Sequence, residues 1–366
     1  MVNNMKHFTF LLYLTVFTTS TLLFLFTEFG CQHSNPVVNN PPNGPNSKGY
    51  NLYVGNWGFD EVFVIDTDSN AVVDTLRGFG SVWDLAVTKS GKKLYISTRE
   101  GPVNFPGKVY SVDLQTRHIK LILDKVADVY VVPNGIVIII SKDPFQLPRQ
   151  IGTIDTLSDA ITFFDTLDVR DAGVNYQSVV LDRTFPLFYA VNNALQLFAY
   201  DYEQRKVVRV FENLFGPKLH MVLSPDGKFL YAAGGPVFDL ERDAAIAGVG
   251  GNHLGSLALS ADGGYLYITD PGGYLLPEPV PSGKVFIFQT STNTYNGEID
   301  VQKAVPFGHG WQTDRIVLMP DGRTAYVSNW LDLIFVIDLQ QREVVKLIQL
   351  GPTGVQAVPM VVGLKY

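Results

Sequence analysis

From Tyr50 to the end, the chain alternates short apolar runs with polar turns, and no segment keeps a 3.6-residue apolar period over helical length. The runs are rich in β-branched and aromatic residues and are bounded by Gly, Pro, Asp and Asn, which is the pattern of strands and hairpins. One unit recurs: a turn followed by a strand that ends on a large apolar or aromatic anchor. It reads KSGKKLY to Tyr95, PNGIVII to Ile139, SPDGKFLY to Tyr231, ADGGYLY to Tyr267 and PDGRTAY to Tyr326. Degenerate copies end at Tyr53 and Tyr189, so the seven anchors lie 42, 44, 50, 42, 36 and 59 residues apart. A period in the low forties with several short strands per unit predicts propeller blades.

A second feature follows each anchor: an apolar strand closing on an acid. It appears as VFVID to Asp66, VYSVD to Asp113, ITFFD to Asp165, LFAYD to Asp201, VFD to Asp239 and IFVID to Asp338, with Gln289 in the sixth unit. An aspartate there accepts hydrogen bonds from the backbone two residues on and starts a tight turn. A ladder of metal carboxylates is the weaker alternative, because these turns belong to separate blades. The stretch Asp66-Thr67-Asp68-Ser69-Asn70 opens like a calcium loop, yet Ala71 stands where the loop needs Gly and Arg77 where it needs Glu.

Tyr53-Val54-Gly55-Asn56, Tyr326-Val327-Ser328-Asn329, the VID strands and the Ser-Pro-Asp-Gly turn at 224–227 resemble the YVTN-type (YncE-like) β-propeller repeat. The resemblance covers about 50–366. It implies an all-β, seven-bladed propeller of four-stranded blades and no specific chemistry, since its motif residues are turn and core formers. The first unit opens without the inner strand that should precede it, while the last has three strands and then an extra segment, 354–362. That segment is expected to supply the missing inner strand, so that one blade is built from both ends of the repeat region and no edge stays open.

Before the repeats, Lys6 precedes an uncharged apolar stretch from Phe8 to Phe26, followed by Gly30 and Cys31, the single cysteine of the chain. This is similar to a bacterial lipoprotein signal, which implies lipidation at Cys31 and a membrane partner through that lipid. Glu28 departs from the pattern. The stretch is also long enough for an uncleaved membrane anchor, and plain secretion is the third reading; all three place the rest outside the cytoplasm, periplasmic or surface-exposed. Residues 32–49 hold four prolines and five asparagines and read as an extended tether. The expected organisation is 1–31 signal or anchor, 32–49 linker, 50–366 propeller.

Composition narrows the function. Hydrophobic residues make up 46% of the chain, enough for a sizeable core, while charged residues are 17% and the net charge is −7. That balance argues against nucleic-acid binding, which needs clustered Lys and Arg. One cysteine excludes a disulfide framework and thiolate metal centres. We expect a monomer without a cofactor or resident metal.

Aligning the inner strands on their turns gives one comparable column: Asp84, Asp128, Ser178, His220, Ser256 and Arg315. Inner strands line a propeller's central channel, so these side chains are expected to form a polar ring near one mouth. Such a ring suits an anion, sugar or metal ligand, or it serves only to hold channel water. The long insertions 100–107, 142–159, 270–283 and 304–313 are expected on that same face. The aromatics Trp57, Tyr274, Trp311 and Trp330 lie on or beside these loops and suit a protein, peptide or carbohydrate partner. His220, His253 and His309 fall at non-equivalent offsets, a poor metal set. No G-x-S-x-G or H-E-x-x-H motif occurs. The expectation is a non-enzymatic envelope propeller that binds on its loop-rich face. The alternative is a lactonase- or quinoprotein-like enzyme using the axial ring.

Overall fold

A computed structural model of the chain describes residues 49–57, 59–99, 107–132, 134–141, 149–167, 179–192, 196–214, 220–249, 255–270, 283–305, 313–329, 332–351 and 357–365. They form seven antiparallel four-stranded sheets, each a propeller blade. Blade 1 contains β1 (Tyr50–Asn56), β2 (Glu61–Asp66) and β3 (Ala71–Arg77). Blade 2 contains β4 (Val82–Val87), β5 (Lys93–Thr98), β6 (Val109–Asp113) and β7 (Ile119–Leu123). Blade 3 contains β8 (Ala127–Val131), β9 (Val137–Ser141), β10 (Arg149–Ile154) and β11 (Ile161–Leu167). Blade 4 contains β12 (Val179–Leu181), β13 (Leu187–Val191), β14 (Gln196–Asp201) and β15 (Lys206–Leu214). Blade 5 contains β16 (Met221–Leu223), β17 (Phe229–Ala232), β18 (Pro236–Asp239) and β19 (Ala244–Gly248). Blade 6 contains β20 (Leu257–Leu259), β21 (Tyr265–Asp270), β22 (Lys284–Gln289) and β23 (Thr294–Asp300). Blade 7 contains β24 (Thr313–Leu318), β25 (Thr324–Asn329), β26 (Leu333–Asp338) and β27 (Glu343–Gln349). The last strand, β28 (Ala357–Leu364), returns to blade 1 and pairs with β1 as its inner strand, Leu52 facing Val362 and Tyr53 facing Val361.

The seven anchors all fall on second strands and are all buried. Their side chains fill the layers between blades; Tyr326, for example, packs with Leu52 and Ile65 of the neighbouring blade. The turn acids do what their spacing predicts. Asp66, Asp113, Asp201, Asp239 and Asp338 each accept two backbone N–H groups from residues two and three positions on. Asp165 departs from this. It lies on the outer strand β11 and accepts from Tyr200 Oη at 2.7 Å, and Asp155 makes the blade 3 turn instead. The expected loop 142–159 is correspondingly too long, because it contains the strand β10.

One non-glycine residue with positive φ stands just before the outer strand of every blade: Asn70, Arg117, Asp159, Arg205, Asp243, Asn293 and Arg342, with φ between 51 and 63°. In five of these the side chain reaches back to the preceding blade. Asn70 accepts from Tyr326 Oη, Arg117 pairs with Asp74, and Asp159 takes Lys93 and Ser111. Arg205 lies over Phe164, and Arg342 donates to Asn296. A left-handed L-residue costs about 1–2 kcal/mol, and these contacts between blades offset part of it.

Candidate functional site

Among the described residues each inner strand pairs with another strand on one side only, and its other edge faces the axis. Each of these strands also runs the same way, from the connection with the preceding blade (the loop end) to the hairpin that starts the second strand (the turn end). Side chains at equivalent positions therefore converge at one height on the axis. The loop-end half encloses a cavity of about 150 Å³ whose lining includes Trp83, Asp84, Asp128, Tyr130, Ser256 and Arg315. Four members of the expected ring meet there. His220, directly before β16 and 4% exposed, joins through Arg315, whose Nη1 lies 3.4 Å from its Nδ1. A guanidinium can only donate, so Nδ1 is the acceptor and carries no proton in this contact.

Ser178 lies outside the described residues, as do Tyr274, Trp311, Trp330, His253, His309 and Cys31. Trp57 is half-buried just past β1, where its carbonyl oxygen accepts the Ser81 hydroxyl.

The site has two electrostatic sides. On blades 2 and 3, Asp84 and Asp128 stand beside Tyr130, whose hydroxyl donates to Asp128 Oδ2 at 3.0 Å. Burial pushes the Tyr130 phenol well above its ordinary value, and the Asp128 and Asp84 charges push it further, so it remains a donor. On blades 5 and 7 stand His220 and Arg315. Next to Arg315, the Asp314 carboxyl is raised by burial, with the Arg315 charge opposing. Ser256 is held through its backbone: its N–H donates to Thr269 Oγ1, and that hydroxyl donates to the Asp314 carbonyl of the next blade.

Two buried cations were not foreseen from the sequence. Arg149, 3% exposed at the start of β10, acts on Tyr130 by its charge, and the Arg99 guanidinium lies 3.5 Å over the Trp83 ring. Their signal was present but faint: each is a single Arg at a strand end beside an insertion. Among the described residues no three His, Cys, Asp or Glu side chains are grouped to hold a metal ion. The arrangement can hold a small ligand between carboxylate acceptors on one side and the Arg315 guanidinium, backed by His220, on the other. A second, larger cavity of about 570 Å³ continues along the axis toward the turn end and shares Asp84, Leu85, Tyr130 and Val361 with the first.

Fold and axis together define a seven-bladed β-propeller with a charged loop-end pocket. No family model matches the sequence, and no curated protein matches it. Many solved structures share the fold. One is dihydro-heme d1 dehydrogenase NirN in complex with DHE, 15% identical with a TM-score of 0.56 over 86% of this chain; the match takes in 66% of NirN, just under two thirds of its length. Another is a functionally unknown protein from Desulfotomaculum acetoxidans, 13% identical with a TM-score of 0.60 over 86% of this chain and 99% of that one. At these identities the likeness reaches the architecture alone.

Proposed function

We propose that this chain is a non-enzymatic binding propeller of the YVTN-type repeat class, held at the cell envelope through its N-terminal segment, that takes a small polar ligand or a partner's polar side chain at the loop end of its axis. The observation that carries the reading is the meeting of Asp84 and Asp128 with Arg315 in one cavity of about 150 Å³, with His220 behind it against the Arg315 guanidinium. At about 30 Å³ per water, that space holds roughly five waters or one small polar group. A ligand bearing both a donor and an anionic group would satisfy both sides. The Tyr130 hydroxyl in this cavity donates to Asp128 Oδ2 and its phenol is raised by burial, which favours binding over nucleophilic chemistry. The enzyme alternative draws on NirN being a dehydrogenase, and that likeness is one of fold.

The test is calorimetry of the full chain against amino acids, small dicarboxylates and sugars. Arg315→Ala and His220→Ala should each weaken the bound compound by about 1.5–3 kcal/mol, as a desolvated charge-assisted bond requires. Equal affinity in wild type and both variants would move the site away from the axis, and turnover of any compound would favour the enzyme. The envelope assignment is tested separately: Cys31→Ser should release the protein from membranes or leave an unprocessed precursor. A variant that stays membrane-bound at unchanged size would favour the uncleaved anchor.

A further inference from the structure

The larger axial cavity lies at the opposite end from the polar ring. Its walls are the turn-end halves of the inner strands of blades 1 to 4: Val87, Val129, Val131, Val132, Leu181 and Val362. Its inner limit is Asp84 and Tyr130, and its rim carries two exposed cations, Lys89 on the β4–β5 turn and Arg183 on the β12–β13 turn. Among the described residues, β8 and β12 approach each other less than the other consecutive inner strands do. Two exposed apolar side chains, Ile136 and Phe185, follow on the turns after these two strands.

We infer that this turn-end vestibule binds a small anionic amphiphile, a medium-length acyl carboxylate, with the chain along the aliphatic walls and the head group at Lys89 and Arg183. Three features select that class. The volume of about 570 Å³ lies within the range of small-molecule sites and above what a few waters need. The walls are mainly branched aliphatic side chains, which reward a hydrocarbon. The rim charges stand out on a chain of net charge −7, and among the residues lining this cavity Asp84 is the one acid, placed at the far end. Asp84 also sets a length limit. From Asp84 to Val87 is three residues, roughly 10 Å at about 3.3 Å per residue, after which a longer chain would run into a carboxylate.

A diazirine-bearing decanoic acid, photolysed on the full chain and mapped by peptide mass spectrometry, reads the site directly. Labels are expected in 127–132, 179–183 and 357–364. Unlabelled hexanoate, octanoate and decanoate should compete with affinity rising up to about fourfold per methylene, the factor set by burying a CH₂. Decan-1-ol should compete at least tenfold more weakly than decanoate. Lys89→Glu with Arg183→Glu should cut labelling of those peptides at least tenfold; both positions are exposed turn residues, and an unchanged melting curve verifies the fold. Labelling confined to the N-terminal apolar segment, or equal labelling of wild type and double variant, would overturn the inference. Arg315→Ala should leave decanoate competition unchanged. If it alone weakens competition, the acid sits in the loop-end pocket, which refutes the vestibule and leaves the polar-site reading standing.

Discussion

Gly91 is where the terminal strand meets blade 2. It sits in the β4–β5 turn with φ +71°, and a Cβ built on it would lie 2.4 Å from the Leu364 carbonyl oxygen, a backbone atom of β28. Gly322 holds the same place in the β24–β25 turn of blade 7, with φ +68° and open space around it. Both turns make the same bond, Gly91 N–H to the Thr88 carbonyl and Gly322 N–H to the Met319 carbonyl. Gly322→Ala therefore meets one penalty, the left-handed backbone, of about 1–2 kcal/mol. Gly91→Ala meets that and a displacement of β28, to which overpacking assigns about 1–3 kcal/mol more. The excess of Gly91→Ala over Gly322→Ala isolates the closure contact. For a unit of roughly 300 residues, unfolding entropy of about 2.1 cal/mol/K per residue translates each kcal/mol into about 1.6 °C of Tm. Denaturant titration at unchanged slope reads the difference most directly. Equal losses in the two variants would refute the argument, because they would mean that β28 yields at no expense and is not seated against blade 2.

Three further outcomes follow from the same geometry. Deleting 352–366 should abolish cooperative melting or cause aggregation, since it bares the inner edge of β1; unchanged melting would make the segment a mere tail. Thr269→Val should lose about 1–3 kcal/mol by denaturant titration, because the Asp314 carbonyl and the Ser256 N–H lose a buried partner together. The Asp113 carboxyl is held below its ordinary 3.8 by the Thr116 N–H and then the Thr116 hydroxyl, so its contribution is present above pH 3.8 and disappears as pH falls through the lower folded value. Asp113→Asn should thus be less stable than wild type at pH 6 and converge with it near pH 2 in acid titration; a constant gap would refute the linkage.

The blade count and the anchors were legible because each depends on local patterning repeated seven times, and the composite first blade because the two ends of the repeat region depart from that pattern in complementary ways. The meeting of Asp84, Asp128, Ser256 and Arg315 was legible for a related reason: equivalent positions on radially repeated strands come together at the axis, whatever their chemistry. Blade 3 misled the reading because β10 lacks an apolar-to-acid ending of its own strength. Its RQIGTI sequence yields to ITFFD, although ITFFD is the outer strand and Asp155 is the turn residue. Arg99 and Arg149 were missed because a lone Arg carries no periodicity, and the left-handed Arg117, Arg205 and Arg342 because nothing in Arg itself asks for positive φ. The turn-end vestibule could not be seen at all. Its walls come from the inner strands of several blades, so it is a property of packing between blades rather than of any one strand.

Pairing β1 with β28 also sets an order of events during synthesis. Leu52 faces Val362, so β1 emerges early and waits for a partner made some three hundred residues later. Blades 2 to 7 can assemble as they appear, each on the one before, while β1 stays a half-finished sheet with its inner edge exposed. Closing so distant a contact is slow because the intervening chain must be ordered first. The ring is therefore an open arc for most of its time on the ribosome, or in a translocation pore for an exported chain. Any holding factor would be needed at β1 until the last strand arrives.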